Sequence, residues 1–364
     1  MNRSSGHGFA SILMLLFVGG LAIGALLVGL GAAAGQDAQT KETAEAASLS
    51  AAAAPVEQAP AEETPAEDAP AASDDGAMDD MAAPAAPADG PPAARSTPYG
   101  AEPLAHTLDG DVKVFTLTAA PTTWRTDDGT EHEAWAYNGQ VPGPVIRGRV
   151  GERIRVEFAN DLPEPTTIHW HGLNLPIGED GVPGISQEPV APGETHRYEF
   201  DLRAPGIFMY HPHYNTLAQQ TKGLYGTFVV DPAEGPDPEV TEVFQVLSEM
   251  NGKFLINGKG FPSTDAYEVP RGKPVLVRTV NVGEMDHPMH LHGFLFRVVG
   301  ADGGQVPVGA QYDRYTQNVA PGEAFDLKFT PNEVGTWLFH CHILGHVTGP
   351  NGIDAGMITT FKVV

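Results

Sequence analysis

The sequence predicts an all-β protein in which two Greek-key β-sandwich domains follow an N-terminal apolar segment and a disordered linker. Short runs rich in β-branched and aromatic residues, separated by Gly, Pro and Asp turns, begin after Pro103. A proline-rich stretch at residues 232–238 divides these runs into two sets. The two sets repeat the same short motifs in the same order, which indicates two domains of similar layout.

The predicted strands fall in both domains. In the first domain, residues 103–232, they are residues 112–117, 151–158, 195–200 and 226–230. In the second domain, residues 239–364, they are residues 243–247, 273–280, 294–299, 324–329 and 357–363. Each domain also contains an Ala-Pro-Gly-Glu sequence followed by a Gly-x-x-x-x-His segment. That segment continues as Pro212-His213 in the first domain and as Cys341-His342 in the second.

The N-terminal segment has a different composition. Residues 9–34 are uncharged and mostly apolar, which indicates an export signal within residues 1–35. A run of this length favours a retained membrane anchor, because about 20 residues span a bilayer. Its Gly content and its Ala-x-Ala end favour a cleaved signal peptide as the alternative. We therefore expect an exported protein, periplasmic or extracellular, with a membrane tether as the favoured form.

Residues 36–102 are expected to form a disordered linker. They consist mainly of Ala, Pro, Glu and Asp with scarcely an aromatic residue, and cannot bury enough apolar surface to offset the entropy of ordering. Thirteen acidic residues between positions 36 and 100, against Lys41 and Arg95, supply nearly half of the formal net charge of −25. The chain lacks the basic footprint that nucleic-acid binding requires.

Ten of the fourteen histidines lie in four short clusters, and the last cluster surrounds the only cysteine. The clustered histidines are His169, His171, His211, His213, His287, His290, His292, His340, His342 and His346. One His-x-His pair alone is also typical of a surface pair or a zinc site, but four pairs with a cysteine inside the last indicate several metal sites. A cysteine-nucleophile hydrolase would leave three of the clusters unexplained.

The segment around Cys341 can serve two sites at once. Alternate side chains of a strand point to opposite faces, so His340 and His342 share one face while Cys341 points to the other. A cysteine with two histidines and a weak axial methionine is the ligand set of a blue copper electron-transfer site, and Cys341 with His346 supplies half of it.

The order His-Trp-His-Gly, His-Pro-His, His-Pro-Met-His-Leu-His-Gly and His-Cys-His-Ile-Leu-Gly-His resembles the multicopper oxidases over about residues 105–364. The resemblance implies cupredoxin-like domains and a blue, type 1 copper bound by His287, Cys341 and His346, with Met357 as the axial ligand. A Gly-Pro-Asn-Gly turn lengthens the segment before Met357 relative to the family pattern.

The resemblance also implies roles for the other clustered histidines. The type 2 copper would be bound by His169 and His290, and the paired type 3 coppers by His171, His211, His213, His292, His340 and His342, which gives four copper ions per subunit. Asp180 lies where the family often carries a proton-donating aspartate, and a turn residue is the alternative. Pro212 stands in the first domain where the second has Cys341, so only the second domain would hold a type 1 copper.

The resemblance implies that the type 2 copper and the two type 3 coppers form one trinuclear cluster. Each domain carries half of the histidines that would bind it. The resemblance to two-domain laccases therefore implies a homotrimer, with each cluster between the first domain of one subunit and the second domain of the next. The expected function is laccase-like oxidation of phenolic or aromatic donors, or of metal ions, with reduction of dioxygen to water. Met285, Asp286 and Met289 flank His287 and would suit a metal-ion donor, or are packing residues.

Two other functions are weighed against this expectation. A copper nitrite reductase also has two such domains and is trimeric, but it places the type 1 cysteine in its first domain. A non-catalytic copper-binding or electron-transfer protein is the third interpretation.

Overall fold

The computed structural model describes residues 102–125 and 131–364. The expected export segment and almost all of the expected linker lie outside these residues. Within the part of the chain that the structure describes, there is no helix of the length and apolarity needed to cross a membrane.

The first domain is a sandwich of two sheets. Its strands are β1 (His106–Asp109), β2 (Val112–Arg125), β3 (Glu131–Tyr137), β4 (Gly143–Arg149), β5 (Arg153–Asn160), β6 (His169–His171), β7 (Thr195–Asp201), β8 (Gly206–His211) and β9 (Gly226–Asp231). One sheet has the order β1-β2-β5-β7, with β3 paired to β2, and the other has the order β4-β9-β8-β6. A short helix, α1 (Thr216–Gln220), and a 3-10 turn, Ile177–Glu179, connect strands.

The second domain is also a sandwich. Its strands are β10 (Thr241–Met250), β11 (Lys253–Ile256), β12 (Ala266–Val269), β13 (Val275–Asn281), β14 (His287–Leu291), β15 (Phe296–Ala301), β16 (Gly304–Gln305), β17 (Tyr312–Arg314), β18 (Thr316–Val319), β19 (Ala324–Phe329), β20 (Gly335–Cys341) and β21 (Ile358–Val363). The sheets have the orders β11-β10-β13-β19-β15-β16, with β17 paired to β15, and β12-β21-β20-β14-β18. The 3-10 turns are Val308–Ala310, Leu344–His346 and Pro350–Gly352.

The two domains share a core topology, although the outer strands of their sheets differ. β2 pairs in parallel with β5, and β10 pairs in parallel with β13, so in both domains the same crossover joins the first long strand to a later one. Alternation shapes these strands: Ile154, Val156 and Phe158 of β5 are buried, whereas the residues between them are partly exposed. The predicted all-β fold with two cupredoxin-like sandwiches is confirmed.

Each domain has its own apolar core, and a third apolar cluster joins the two domains. Trp124, Met209 and Val229 of the first domain pack with Phe244 and other buried residues of the second. The indole N–H of Trp124 also donates a hydrogen bond to the carbonyl of Gly258 at 2.9 Å. Full burial of a large apolar side chain stabilises by about 1.5–3 kcal/mol relative to exposure, so this shared core favours the contact between the domains.

Candidate metal centres

The first candidate centre is the buried cluster of His287, Cys341 and His346. His287 begins β14, Cys341 ends β20, and His346 ends the 3-10 turn Leu344–His346. The Nδ1 atoms of His287 and His346 are 3.2 Å apart. Cys341 Sγ lies 3.9 Å from the first of these nitrogens and 3.6 Å from the second. Two imidazole nitrogens and one sulfur therefore converge in the core, a donor set that suits copper.

The backbone of Met357 is hydrogen-bonded to two members of this cluster despite the lengthened segment before it. The extra residues turn back on themselves, since the N–H of Gly349 donates to the carbonyl of Ile353 at 2.8 Å. The N–H of Met357 then donates to the carbonyl of His346 at 2.9 Å, and its carbonyl accepts from the N–H of Cys341 at 3.0 Å. The fully buried Met357 side chain packs in the same apolar cluster as Cys341.

Two neighbours of this centre were not predicted from the sequence. Glu249 Oε1 lies 2.8 Å from His287 Nε2, and the ring of Phe254 stacks on that of His346 with centroids 3.9 Å apart. Both residues come from an earlier part of the domain, and no motif marks them. Burial raises the pKa of the Cys341 thiol to about 11, so metal binding at this centre must release the thiol proton.

A second group of histidines lies in the first domain. Adjacent strands β6 and β8 place His169 opposite His211, and Nδ1 of His171 lies 3.3 Å from Nε2 of His211. The ring of His213 follows, 5.1 Å from that of His169 between centroids. Trp170, between the two histidines of β6, points the other way into the core and is 1% exposed. Alternation thus gathers four imidazoles on one face.

The second domain holds the matching group. β14 and β20 place His290 opposite His340, and Nε2 of His292 lies 3.0 Å from Nε2 of His340. The ring of His342 lies 5.4 Å from that of His290. Among the described residues, the ring contacts of these eight histidines join members of the same domain only. Each domain therefore presents half of an eight-histidine set.

In four of these histidines, Nδ1 lies within hydrogen-bond distance of a backbone carbonyl oxygen. The pairs are His169 Nδ1 with Asp180 O at 2.7 Å, His211 Nδ1 with Pro212 O at 3.0 Å, His290 Nδ1 with Tyr315 O at 3.0 Å, and His340 Nδ1 with Cys341 O at 2.8 Å. Because a carbonyl can only accept, Nδ1 of His169, His211 and His340 carries the proton, which leaves Nε2 as the nitrogen that can bind a metal. Nδ1 of His290 also lies 2.8 Å from the hydroxyl oxygen of Thr316, which can donate or accept. Burial lowers the pKa of His211 to about 3, which keeps its ring neutral.

The sequences of both domains match known protein families. Two family profiles, both described as multicopper oxidase, match residues 118–235 and 235–364. Together they cover more than half of the chain. The chain belongs to the multicopper oxidase family. Members of this family are copper-dependent oxidoreductases, and the donor sets described above fit copper.

Individual relatives match parts of the chain. Copper resistance protein A of Escherichia coli is 39% identical over 136 residues, 37% of this chain and 22% of that protein. A probable nitrite reductase-hydroxylamine oxidoreductase fusion protein of Kuenenia stuttgartiensis is 29% identical over 261 residues, 64% of this chain and 30% of that protein. The chain thus spans about a fifth to a third of the length of these curated relatives.

Solved structures cover more of the chain. The blue copper oxidase from Nitrosomonas europaea has a TM-score of 0.65 and 29% identity, over 69% of this chain and 85% of that one. The multicopper oxidase mgLAC has the same TM-score and 31% identity, over 69% of this chain and 86% of that one.

In this multicopper oxidase, Asp180 lies beside the histidines of the first domain. It follows the 3-10 turn Ile177–Glu179 as the C-cap residue, and its Oδ1 lies 3.6 Å from Nδ1 of His169. The side chain is 33% exposed, so the carboxyl group is in contact with solvent. Asp180 thus occupies a turn position with its carboxyl group near His169, and its role as a proton donor stays a prediction.

The residues that flank His287 differ in their environment. Met289 is fully buried in the core of the second domain, opposite Cys341 in the β14–β20 register, which is the position of a packing residue. Met285 is 45% exposed, and the exposed Asp286 accepts a hydrogen bond from Asn318 at 3.2 Å. A metal-ion donor could therefore contact Met285 and Asp286 from solvent but not Met289.

Proposed function

We propose that this multicopper oxidase is laccase-like: it takes electrons one at a time from a reducing substrate at a type 1 copper site and reduces dioxygen to water at a trinuclear copper site. The observation that carries the proposal is the placement of Cys341. Its sulfur faces His287 and His346, while His340 and His342 on either side of it belong to the other histidine group. Two sites are thereby joined through adjacent backbone bonds.

The residues divide between the two sites. His287, Cys341 and His346 would hold the type 1 ion, with Met357 in the axial position. His169 and His290 would hold the type 2 ion, and His171, His211, His213, His292, His340 and His342 the type 3 pair, four copper ions per subunit in all. When bound, copper supplies one-electron redox chemistry, to which both imidazole and thiolate ligands are suited. Asp180, whose carboxyl group lies close to the His169 ring, would be the proton-donating residue.

The separation of the histidines into two groups supports a homotrimer. Four histidines of the first domain and four of the second each form a half-site, and a ring of subunits would join unlike halves at every interface. Such an interface is heterologous and closes by rotation. The apolar segment at residues 9–34 supports export to the periplasm or the cell exterior with a membrane tether.

Oxygen consumption by the copper-loaded protein tests the proposed function. The donors are a phenol, cuprous ion and ferrous ion, each supplied separately, and nitrite consumption is followed in parallel. We expect oxygen uptake with at least one donor and an unchanged nitrite concentration. Nitrite loss without oxygen uptake would instead support the nitrite reductase function suggested by the name of the Kuenenia relative. Copper binding without either activity would indicate an electron-transfer protein.

A further inference from the structure

We propose that Glu249 is a positioning residue for the type 1 site: its carboxylate accepts the Nε2–H of His287 and thereby holds the ring with Nδ1 towards Cys341. This inference rests on the proposed function, because it assigns a role in the same site. The 2.8 Å contact between Glu249 Oε1 and His287 Nε2 is the observation that carries it.

The contact settles which nitrogen of His287 can bind a metal. A carboxylate accepts and does not donate, so Nε2 must carry the proton, and the lone pair of Nδ1 is left free. That nitrogen is the one that lies 3.2 Å from His346 Nδ1 and 3.9 Å from Cys341 Sγ. His287 is completely buried, so in the folded protein the carboxylate, and not bulk water, accepts the proton of Nε2.

The carboxylate of Glu249 is itself held in place. Its Oε2 accepts the backbone N–H of Glu284 at 2.8 Å, and the backbone of Met285 supplies a further hydrogen bond. Gly283 leaves room for it, because a Cβ atom at that position would lie 2.1 Å from Oε2. The turn that leads into β14 therefore clamps the carboxylate that orients the first residue of β14.

Glu249 also has one side open to water. It lines a cavity of about 230 Å³ between the domains, together with Gln220 of α1 and Glu284. The side chain is 16% exposed, so part of the carboxylate is hydrated while its contact with His287 is not. A charged acceptor of this kind makes a hydrogen bond roughly twice as strong as a neutral one.

The expected effect is on the relative stability of the two copper oxidation states. A carboxylate hydrogen bond raises the basicity of the imidazole, which favours Cu(II) over Cu(I) and lowers the reduction potential. Loss of such a partner typically changes metal affinity by 10–100-fold. A tenfold loss of the preference for Cu(II) corresponds to an upward shift of about 59 mV in a one-electron potential.

Three variants of the copper-loaded protein separate the contact from the charge. Glu249→Asp keeps the charge but shortens the reach by about 1.5 Å, Glu249→Gln keeps the size but removes the charge, and Glu284→Gln removes a charge from the same cavity without touching His287. We expect both Glu249 variants to raise the type 1 potential, by about 59 mV for each tenfold loss of the preference for Cu(II). Glu284→Gln should remain close to the wild type.

A second readout uses the copper-free protein. Nitrogen NMR should detect an exchange-protected Nε2–H of His287 in the wild type and in Glu284→Gln, and its loss in Glu249→Asp. The positioning role would be overturned if Glu249→Asp kept the wild-type potential while Glu249→Gln and Glu284→Gln shifted it equally. The shift would then come from the charge of the cavity and not from the contact with His287. A wild-type protein without the blue type 1 spectrum would instead refute the proposed function, so the two failures are distinguishable.

Discussion

At the residue scale, the sulfur of Cys341 distinguishes the proposed type 1 site from the histidine sites. Cys341→Ser should abolish the blue absorption of the copper-loaded protein, because a hydroxyl group replaces the soft thiolate that copper prefers. The electron paramagnetic resonance signal of a type 2 copper should persist, since His169 and His290 are unchanged. Visible absorption and electron paramagnetic resonance spectra of the same sample check both statements. A variant that stays blue would refute the assignment of Cys341 to the type 1 site.

Met357 should tune this site without being required for its colour. Met357→Leu is close to volume-conserving and should cost less than about 1.5 kcal/mol of stability. It removes the weak sulfur ligand, so we expect the blue absorption to remain and the reduction potential to rise. A redox titration of wild type and variant measures the difference. Equal potentials would mean that Met357 is not the axial ligand.

The buried histidines make the copper-free protein sensitive to acid. His211 has a pKa of about 3 in the folded protein and about 6.5 in an unfolded chain, so between these values the unfolded state binds the proton first. The stability that His211 contributes is fully present above pH 6.5 and is lost as the pH falls towards 3. The slope is at most about 1.4 kcal/mol per pH unit.

Urea unfolding of the copper-free protein at pH 7 and at pH 5 measures this loss. His211→Asn removes the titrating group, and its free energy of unfolding should fall less between the two pH values than that of the wild type. A variant at position 211 with the wild-type pH dependence would contradict the prediction.

At the element scale, the segment between His346 and Met357 depends on Gly356. This glycine has a φ of +70°, and a Cβ atom on it would lie 2.3 Å from the carbonyl oxygen of His346, which accepts the N–H of Met357. Gly356→Ala should therefore displace Met357 from the ligands, destabilise the protein and weaken the blue absorption.

Gly352→Ala is the matched control for this segment. Gly352 has a similar φ of +72°, but a Cβ atom there would meet nothing within 4 Å. Gly352→Ala should therefore lower the free energy of unfolding by only about 1–2 kcal/mol, the cost of placing an alanine in the left-handed region. Urea unfolding and visible spectra of both variants make the comparison. Equal effects of the two substitutions would show that the close approach of Gly356 to His346 is unimportant.

Elements with strong alternation were predictable from the sequence, and others were not. The run at residues 324–329 coincides with β19, and the run at 294–299 is shifted by two residues from β15 (Phe296–Ala301). The sequence did not predict β3, Glu131–Tyr137, whose last four residues are all buried, because continuous burial removes the alternating signal. Its pairing with β2 is a tertiary effect.

The same distinction holds in the candidate sites. The clustered histidines could be identified because their spacing is local, and a strand turns that spacing into a shared face. Glu249 and Phe254 could not, because they approach His287 and His346 only after β10 and β11 have packed beside them. The contacts of these two residues come from tertiary packing, which no sequence motif marks.

At the scale of the whole molecule, the two histidine groups bear on how many chains the proposed trinuclear site needs. The two domains of one chain share an apolar core, and the Trp124 indole N–H donates a hydrogen bond to the carbonyl of Gly258 between them. Within the described residues, no histidine ring contact bridges the half-sites. If the trinuclear site forms between subunits, two different defective chains can complement each other, whereas a site closed within one chain cannot be rescued.

Co-expression of His171→Ala with His342→Ala tests this argument. The first variant has an intact second domain and the second variant an intact first domain, so a mixed ring contains one interface built from intact halves. Each variant alone should lack oxygen reduction, and random mixing should restore about a quarter of the wild-type rate. Co-expression of His171→Ala with His213→Ala is the control, because both changes affect the first domain and no interface is complete. Oxygen uptake and mass in solution are measured on the same samples. An inactive mixture of the first pair that nevertheless forms trimers would place the site within one chain, because subunits would then associate without sharing ligands.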